Sequence, residues 1–257
     1  MSRRNIHKII PVLYVSLLIL VSCNTVPPPV TTDGKHYITI DSTIGLSELT
    51  ESIIKPYRDS IEKEMNLVIG YSDLDMNKGR PESLLTNFVA DILLSKGIEI
   101  AQERNCPSPI LSIINVKGLR SPIKKGSITV SSIFRVMPFE NKLVILTLSG
   151  QQIKTLFEHM ADMGGEGLSG ASFGIKDDKP VNIKINGKPL NSKKTYTIVT
   201  ADYLANGGDN YSLLPTIEER YPTEIKIRDV IISSIKNLTK DGKQINSTPD
   251  KRIYYVN

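Results

Sequence analysis

The sequence predicts an α/β (α+β) fold with a mixed β-sheet and packed helices. Two observations carry this. Short runs of branched apolar residues, such as Lys142 to Leu148 and Tyr196 to Thr200, have the length and composition of buried strands. Between them lie longer stretches whose apolar residues recur every three or four positions, as on one face of a helix. No internal repeat is visible, which sets aside solenoid and propeller architectures.

In chain order, residues 1–22 read as a leader. Arg3, Arg4 and Lys8 form a positive head, and the apolar run Ile9 to Leu20 is short for a bilayer span. The run ends in Leu20-Val21-Ser22-Cys23, which resembles the lipobox of bacterial lipoproteins; an ordinary secretory signal with a stray cysteine is the alternative. With the lipobox, Cys23 becomes the lipidated first residue and the protein is anchored to a membrane of the cell envelope. Each buried lipid methylene contributes about 0.8 kcal/mol, so two or three acyl chains anchor firmly. Residues 23–35, rich in proline and threonine, read as a flexible tether. Residues 36–257 contain no further linker-like stretch and read as one folded region.

Within that region Leu46, Leu49, Ile53, Ile54, Tyr57, Ile61 and Met65 keep helical spacing, with Pro56 expected to bend or divide the helix. A strand follows from Leu67 to Ser72. Pro81 and Glu82 open a second helix with the stripe Leu84, Leu85, Phe88, Val89, Ile92 and Leu93. Ile110 to Ile114 and Lys142 to Leu148 read as strands, and Ser149 caps a helix running to about Ala161. Strands are expected near Ala171 to Ile175, Val181 to Ile185 and Tyr196 to Thr200, with a turn at Asn186-Gly187. A late helix is expected from about Glu224 to Leu238, then a closing strand from Ile253 to Val256.

Charge and cysteine content narrow the partners. Loss of residues 1–22 takes away three basic residues and no acidic one, lowering the net charge from +5 to about +2. No long basic tract remains, so nucleic acid is not an expected partner. With Cys23 lipidated, Cys106 is the remaining thiol, and His36 and His159 offer no zinc-ligand spacing.

Three segments place polar groups and glycines where strands end. Ile114 to Gly126 mixes asparagine, glycine and arginine, which suits anion recognition and equally a solvated turn. Val136 to Leu143 displays Pro138-Phe139; read alone, Phe139 fits a core position. Val199 to Tyr211 contains Gly207-Gly208-Asp209, where a carboxylate on a tight turn can accept two hydroxyl hydrogen bonds or simply cap a turn.

Together and in this order, the three segments resemble the C-terminal domain of the 5′-nucleotidase family, with its asparagine–glycine–arginine loop, Pro-Phe-x-Asn segment and Gly-Gly-Asp turn. Glu82 to Leu93, Leu148 to His159 and Ser169 to Ile175 add supporting similarity. The resemblance implies a nucleotide site. Phe139 and Tyr203 would sandwich the base, a contact worth about 1–3 kcal/mol per stacked face. Arg120 would reach phosphate with Asn115 as its partner, Asn141 belongs to the Pro-Phe-x-Asn segment, and Asp209 on the Gly207-Gly208 turn would bind sugar hydroxyls. Val116 and Lys117 stand where the family carries glycines, and Arg80 is the one candidate for a family arginine ahead of the second helix.

Full-length relatives carry a metallophosphatase domain with Asp-x-His, Gly-Asn-His and Gly-His-x-His segments, and none of these occurs in this sequence. The expectation is therefore a domain inactive by itself, with no cofactor of its own. It would position a nucleotide for phosphate-ester hydrolysis by a separate metallophosphatase that holds divalent metals. The alternatives are a non-catalytic nucleotide- or nucleoside-binding surface lipoprotein, or a decayed domain that binds nothing.

Overall fold

The computed structural model describes residue 41 and residues 44–256; the leader 1–22, Cys23 and the tether 23–35 lie outside the described residues. The chain divides at Ser52–Ile53, inside its first helix, into two units. The described part of the first is a turn closed by Ile44 N–H on the Asp41 carbonyl (3.2 Å) and the helix start, where Ser47 Oγ accepts from Thr50 N–H.

The elements run α1 (Glu48–Met65), β1 (Val68–Ser72), α2 (Leu84–Arg104), β2 (Leu111–Ile114), β3 (Gly126–Thr129) and α3 (Val130–Val136). They continue with β4 (Lys142–Ser149), α4 (Gly150–Asp162), β5 (Gly167–Ser169), β6 (Ala171–Lys176), β7 (Lys179–Ile185), β8 (Lys188–Pro189) and β9 (Thr195–Ala201). The last are α5 (Asp202–Ala205), β10 (Arg220–Lys226), α6 (Ile227–Lys240) and β11 (Ile253–Tyr255). The expected α/β class with mixed pairing holds, spread over three sheets. A five-stranded sheet has the order β10-β4-β9-β2-β5, a four-stranded one β11-β6-β7-β8, and β1 pairs with β3. β2–β9 and β6–β11 are parallel, and the other pairings antiparallel.

The five-stranded sheet is buried on both faces, which is why its strands read as continuous apolar runs rather than alternating ones. Leu143 and Ile145 of β4 enter one core with Leu85, Val89 and Leu93 of α2 and Ile227, Ile231 and Ile235 of α6. Val144, Leu146 and Leu148, pointing the other way, enter a second core with Ile153, Leu156 and Phe157 of α4 and Phe173 and Ile253 of the four-stranded sheet. Ser149 caps α4 in a reciprocal capping box with Gln152.

Four expectations need correction. The helix α1 forms and runs through Pro56 undivided, but none of its residues is buried; of its apolar stripe, Met65 at the last position packs half-buried against the first core. α2 begins at Leu84 with Ser83 as its cap rather than at Pro81, and runs on to Arg104 because it is apolar on more than one face. The late helix begins at Ile227; Arg220–Lys226 is instead a strand on the sheet edge, where Pro222 is tolerated. β3 and α3, absent from the sequence reading, are too short to show a period. Among the described residues no helix is long and apolar enough to cross a membrane.

Candidate functional site

Sheet order explains why three distant segments meet. β2 and β9 are parallel neighbours, so Asn115 after β2 and Asp202 after β9 leave the sheet at the same edge. β4 runs antiparallel to β9 with Leu143 opposite Ala201, which brings Phe139 and Asn141 to that edge too. Ligands of open α/β sheets collect outside the carboxyl ends of parallel strands. Here that edge holds a cavity of about 280 Å³ lined by Asn115, Lys117, Gly118, Arg120, Phe139, Asn141, Tyr203 and Asp209. Of the residues expected from sequence, Asn115, Arg120, Phe139, Asn141, Tyr203 and Asp209 line it, whereas Gly207 and Gly208 support it from behind.

The glycines have a definite task. Gly207 has φ +91°, a left-handed conformation that costs glycine little. A Cβ on Gly208 would lie 2.5 Å from the Tyr203 ring, so a glycine there leaves room for the ring. The turn then holds Asp209, itself left-handed at φ 50°. Its Oδ2 accepts from Asn115 Nδ2 at 2.6 Å and its Oδ1 from the Tyr203 hydroxyl at 3.1 Å. The structure thus pairs Asn115 with Asp209. Each carboxylate oxygen keeps a free lone pair for a ligand hydroxyl. Asn115 Oδ1 is buried without a hydrogen-bond partner among the described residues, an acceptor that a ligand donor would satisfy.

Phe139 is 40% exposed and Tyr203 44%, and neither belongs to a core. The Arg120 guanidinium carbon sits 5.8 Å from the centre of the Phe139 ring. The Phe139 segment is pinned by the start of α6. Buried Arg228 donates to the Pro138 carbonyl at 3.4 Å and to the Glu140 carboxylate, and lies 4.0 Å over the Phe134 ring. Ile227 N–H donates to the Asn141 carbonyl at 2.9 Å. Lys226, and then Arg228, hold the exposed Glu140 carboxyl down at about 2. A depressed carboxyl stabilises the fold above its ordinary value of 4.5, and that contribution is lost as pH falls from there towards about 2. The pin is therefore intact at neutral pH.

Sequence reading missed a second support. Glu166, with its side chain fully buried, accepts from Val116 N–H and from Arg80. Arg80 also donates to the Gly165 carbonyl at 2.6 Å. Arg80 therefore lies behind the loop rather than in the cavity lining. The available signal was a lone glutamate among Gly164, Gly165 and Gly167 just after a helix. Burial pushes the Glu166 carboxyl up, against the opposing pull of Val116 N–H and Arg80.

Among the described residues no group of three or more His, Cys, Asp or Glu side chains is placed to hold a metal ion. Asp209, the one acid lining the cavity, already serves Asn115 and Tyr203. The donor set does not fit a metal pair, and what these residues offer is binding and orientation.

Comparison with known proteins bears on the family and the fold. Over 221 residues the chain is 32% identical to the trifunctional nucleotide phosphoesterase protein YfkN of Bacillus subtilis, covering 78% of this chain and 14% of that protein. It is 25% identical over 190 residues to protein UshA of Escherichia coli, covering 71% of this chain and 33% of UshA. The chain thus spans a third or less of these two relatives. Among solved structures, a 5′-nucleotidase precursor from Thermus thermophilus superposes with a TM-score of 0.67 at 24% identity, over 81% of this chain and 43% of that one. The NAD nucleotidase of Haemophilus influenzae gives 0.60 at 18%, over 84% and 44%. The family profile described as 5′-nucleotidase, C-terminal domain, matches residues 64–216. That span runs from the end of α1 to just past the Gly-Gly-Asp turn and contains every residue lining the cavity, so the chain belongs to the 5′-nucleotidase C-terminal domain family.

Proposed function

We propose that this chain binds a nucleotide and positions it for phosphate-ester hydrolysis by a separate metallophosphatase. The observation that carries the reading is the convergence of two exposed aromatic rings, an arginine and a turn-held carboxylate on one cavity at the carboxyl ends of β2 and β9. The rings suit a base, Asp209 a ribose diol, and Arg120 a phosphate. A site that holds the nucleotide in one orientation lends the reaction proximity, while the partner's divalent metals supply the activated water.

The test uses the purified chain and AMP. Alone, with any divalent metal added, it should release no phosphate. Added to a metallophosphatase of the same organism, it should raise that enzyme's rate, and Arg120→Ala should reduce the gain. Arg120→Ala should also weaken AMP about 10-fold while changing adenosine little, because only AMP gives the guanidinium a charged partner. Hydrolysis by the chain alone would overturn the reading. Full partner activity without it would move the role to a non-catalytic nucleotide-binding lipoprotein.

The same proposal places the chain at the cell envelope, anchored through lipid on Cys23. Cys23→Ala should shift the protein from the membrane to the soluble fraction and remove the lipid mass. A variant that stays membrane-bound at unchanged mass ends the anchor.

A further inference from the structure

We infer that Lys117 is a second phosphate-binding group of the cavity, making nucleoside 5′-diphosphates its preferred ligands over monophosphates. This rests on the nucleotide reading of the site and adds a substrate class to it. Lys117 lines the same cavity as Arg120 and Phe139. Neighbouring cations are spoken for, with Lys124 on Asp75, and Lys226 and Arg228 on Glu140. Lys117 and Arg120 have no carboxylate partner among the described residues. The one acid in the lining, Asp209, is engaged by Asn115 and Tyr203. Two cations without a carboxylate partner among the described residues thus line one cavity, an arrangement that invites an anion of more than one group.

The backbone under Lys117 is fixed. Residues Val116–Gly118 form a 3-10 turn, closed by Gly118 N–H on the Asn115 carbonyl at 3.0 Å and Leu119 N–H on the Val116 carbonyl at 3.2 Å. Val116 N–H is held by the buried Glu166 carboxylate, and Leu119 is fully buried. Only the lysine stem is free to move. Arg120 presents a planar fork that suits one phosphate group; the ammonium of Lys117, three residues earlier, is a compact charge that can meet the next.

Calorimetry on the full chain with adenosine, AMP and ADP, without divalent cations, tests the assignment. ADP should bind about 3–10-fold tighter than AMP, the size of effect a solvent-exposed charge contact supplies. Lys117→Met, at an exposed position, should erase that gap and leave adenosine unchanged, and high salt should shrink the gap in the parent chain. If adenosine and AMP bind with Phe139 dependence but ADP gains nothing, or the gain survives Lys117→Met, the assignment falls and the nucleotide site stands. If none of the three binds, the nucleotide reading itself has failed and this inference goes with it.

Discussion

Phe139→Ala should weaken adenosine and AMP alike, by about 5–150-fold in dissociation constant, the equivalent of losing one stacking face worth about 1–3 kcal/mol. The ring is exposed, lies outside both cores, and faces the cavity with the Arg120 guanidinium over it. Its backbone is held by Arg228 and by Ile227 N–H, so binding spends little entropy on ordering it. Because the ring is not core, the same substitution should change folding stability by no more than about 0.5 kcal/mol. That separation matters: a core phenylalanine would lose about 3–5 kcal/mol on truncation. Calorimetric binding and urea denaturation on one preparation decide the matter. Unchanged affinity, or a large stability loss, would return Phe139 to a structural role.

Much of the fold was legible where burial left a local trace. β4 and β9 are buried on both faces and announce themselves as unbroken apolar runs, and Ser149 with Gln152 marks the start of α4. The edge strand β10 gave no such trace, since Pro222 and its charged neighbours look like a loop and Ile227 to Ile235 like a helix of uncertain start. α1 is the reverse case. Its stripe is as regular as that of α4, yet nothing in a period says whether a core stands opposite, and here all of it stays exposed or half-exposed. The site followed the same division. Residues in the three strand-ending segments could be named through their joint resemblance to a family, because read singly each fitted a turn or a core position as well. Arg228, on the helix that pins Phe139, and Glu166, which holds Val116, act across 90 and 50 residues, and no spacing rule reaches that far.

Glu166→Ala should damage stability and binding together. Two groups converge on this carboxylate: Val116 N–H and the Arg80 guanidinium. Removing it strands a buried amide and an arginine that is 27% exposed at its side chain. Breaking a buried pair costs about 3–5 kcal/mol, and partial solvation of Arg80 lowers the expectation to about 2–4 kcal/mol. The loop carrying Asn115, Lys117 and Arg120 loses its anchor in the same step, so nucleotide affinity should fall together with the urea midpoint. Glu166→Gln keeps the shape and a carbonyl acceptor for Val116 N–H, and its loss should be smaller. The pH dependence carries a further signature. Burial raises the carboxyl above its ordinary 4.5, so the favourable protonated contribution is complete below that value and is lost as pH rises through the folded-state value. The parent chain should therefore lose stability over that rise relative to Glu166→Gln, which has no proton to give up. A Glu166→Ala protein with the parent's denaturation midpoint and the parent's affinity for AMP would show that the loop holds its shape without this buried contact.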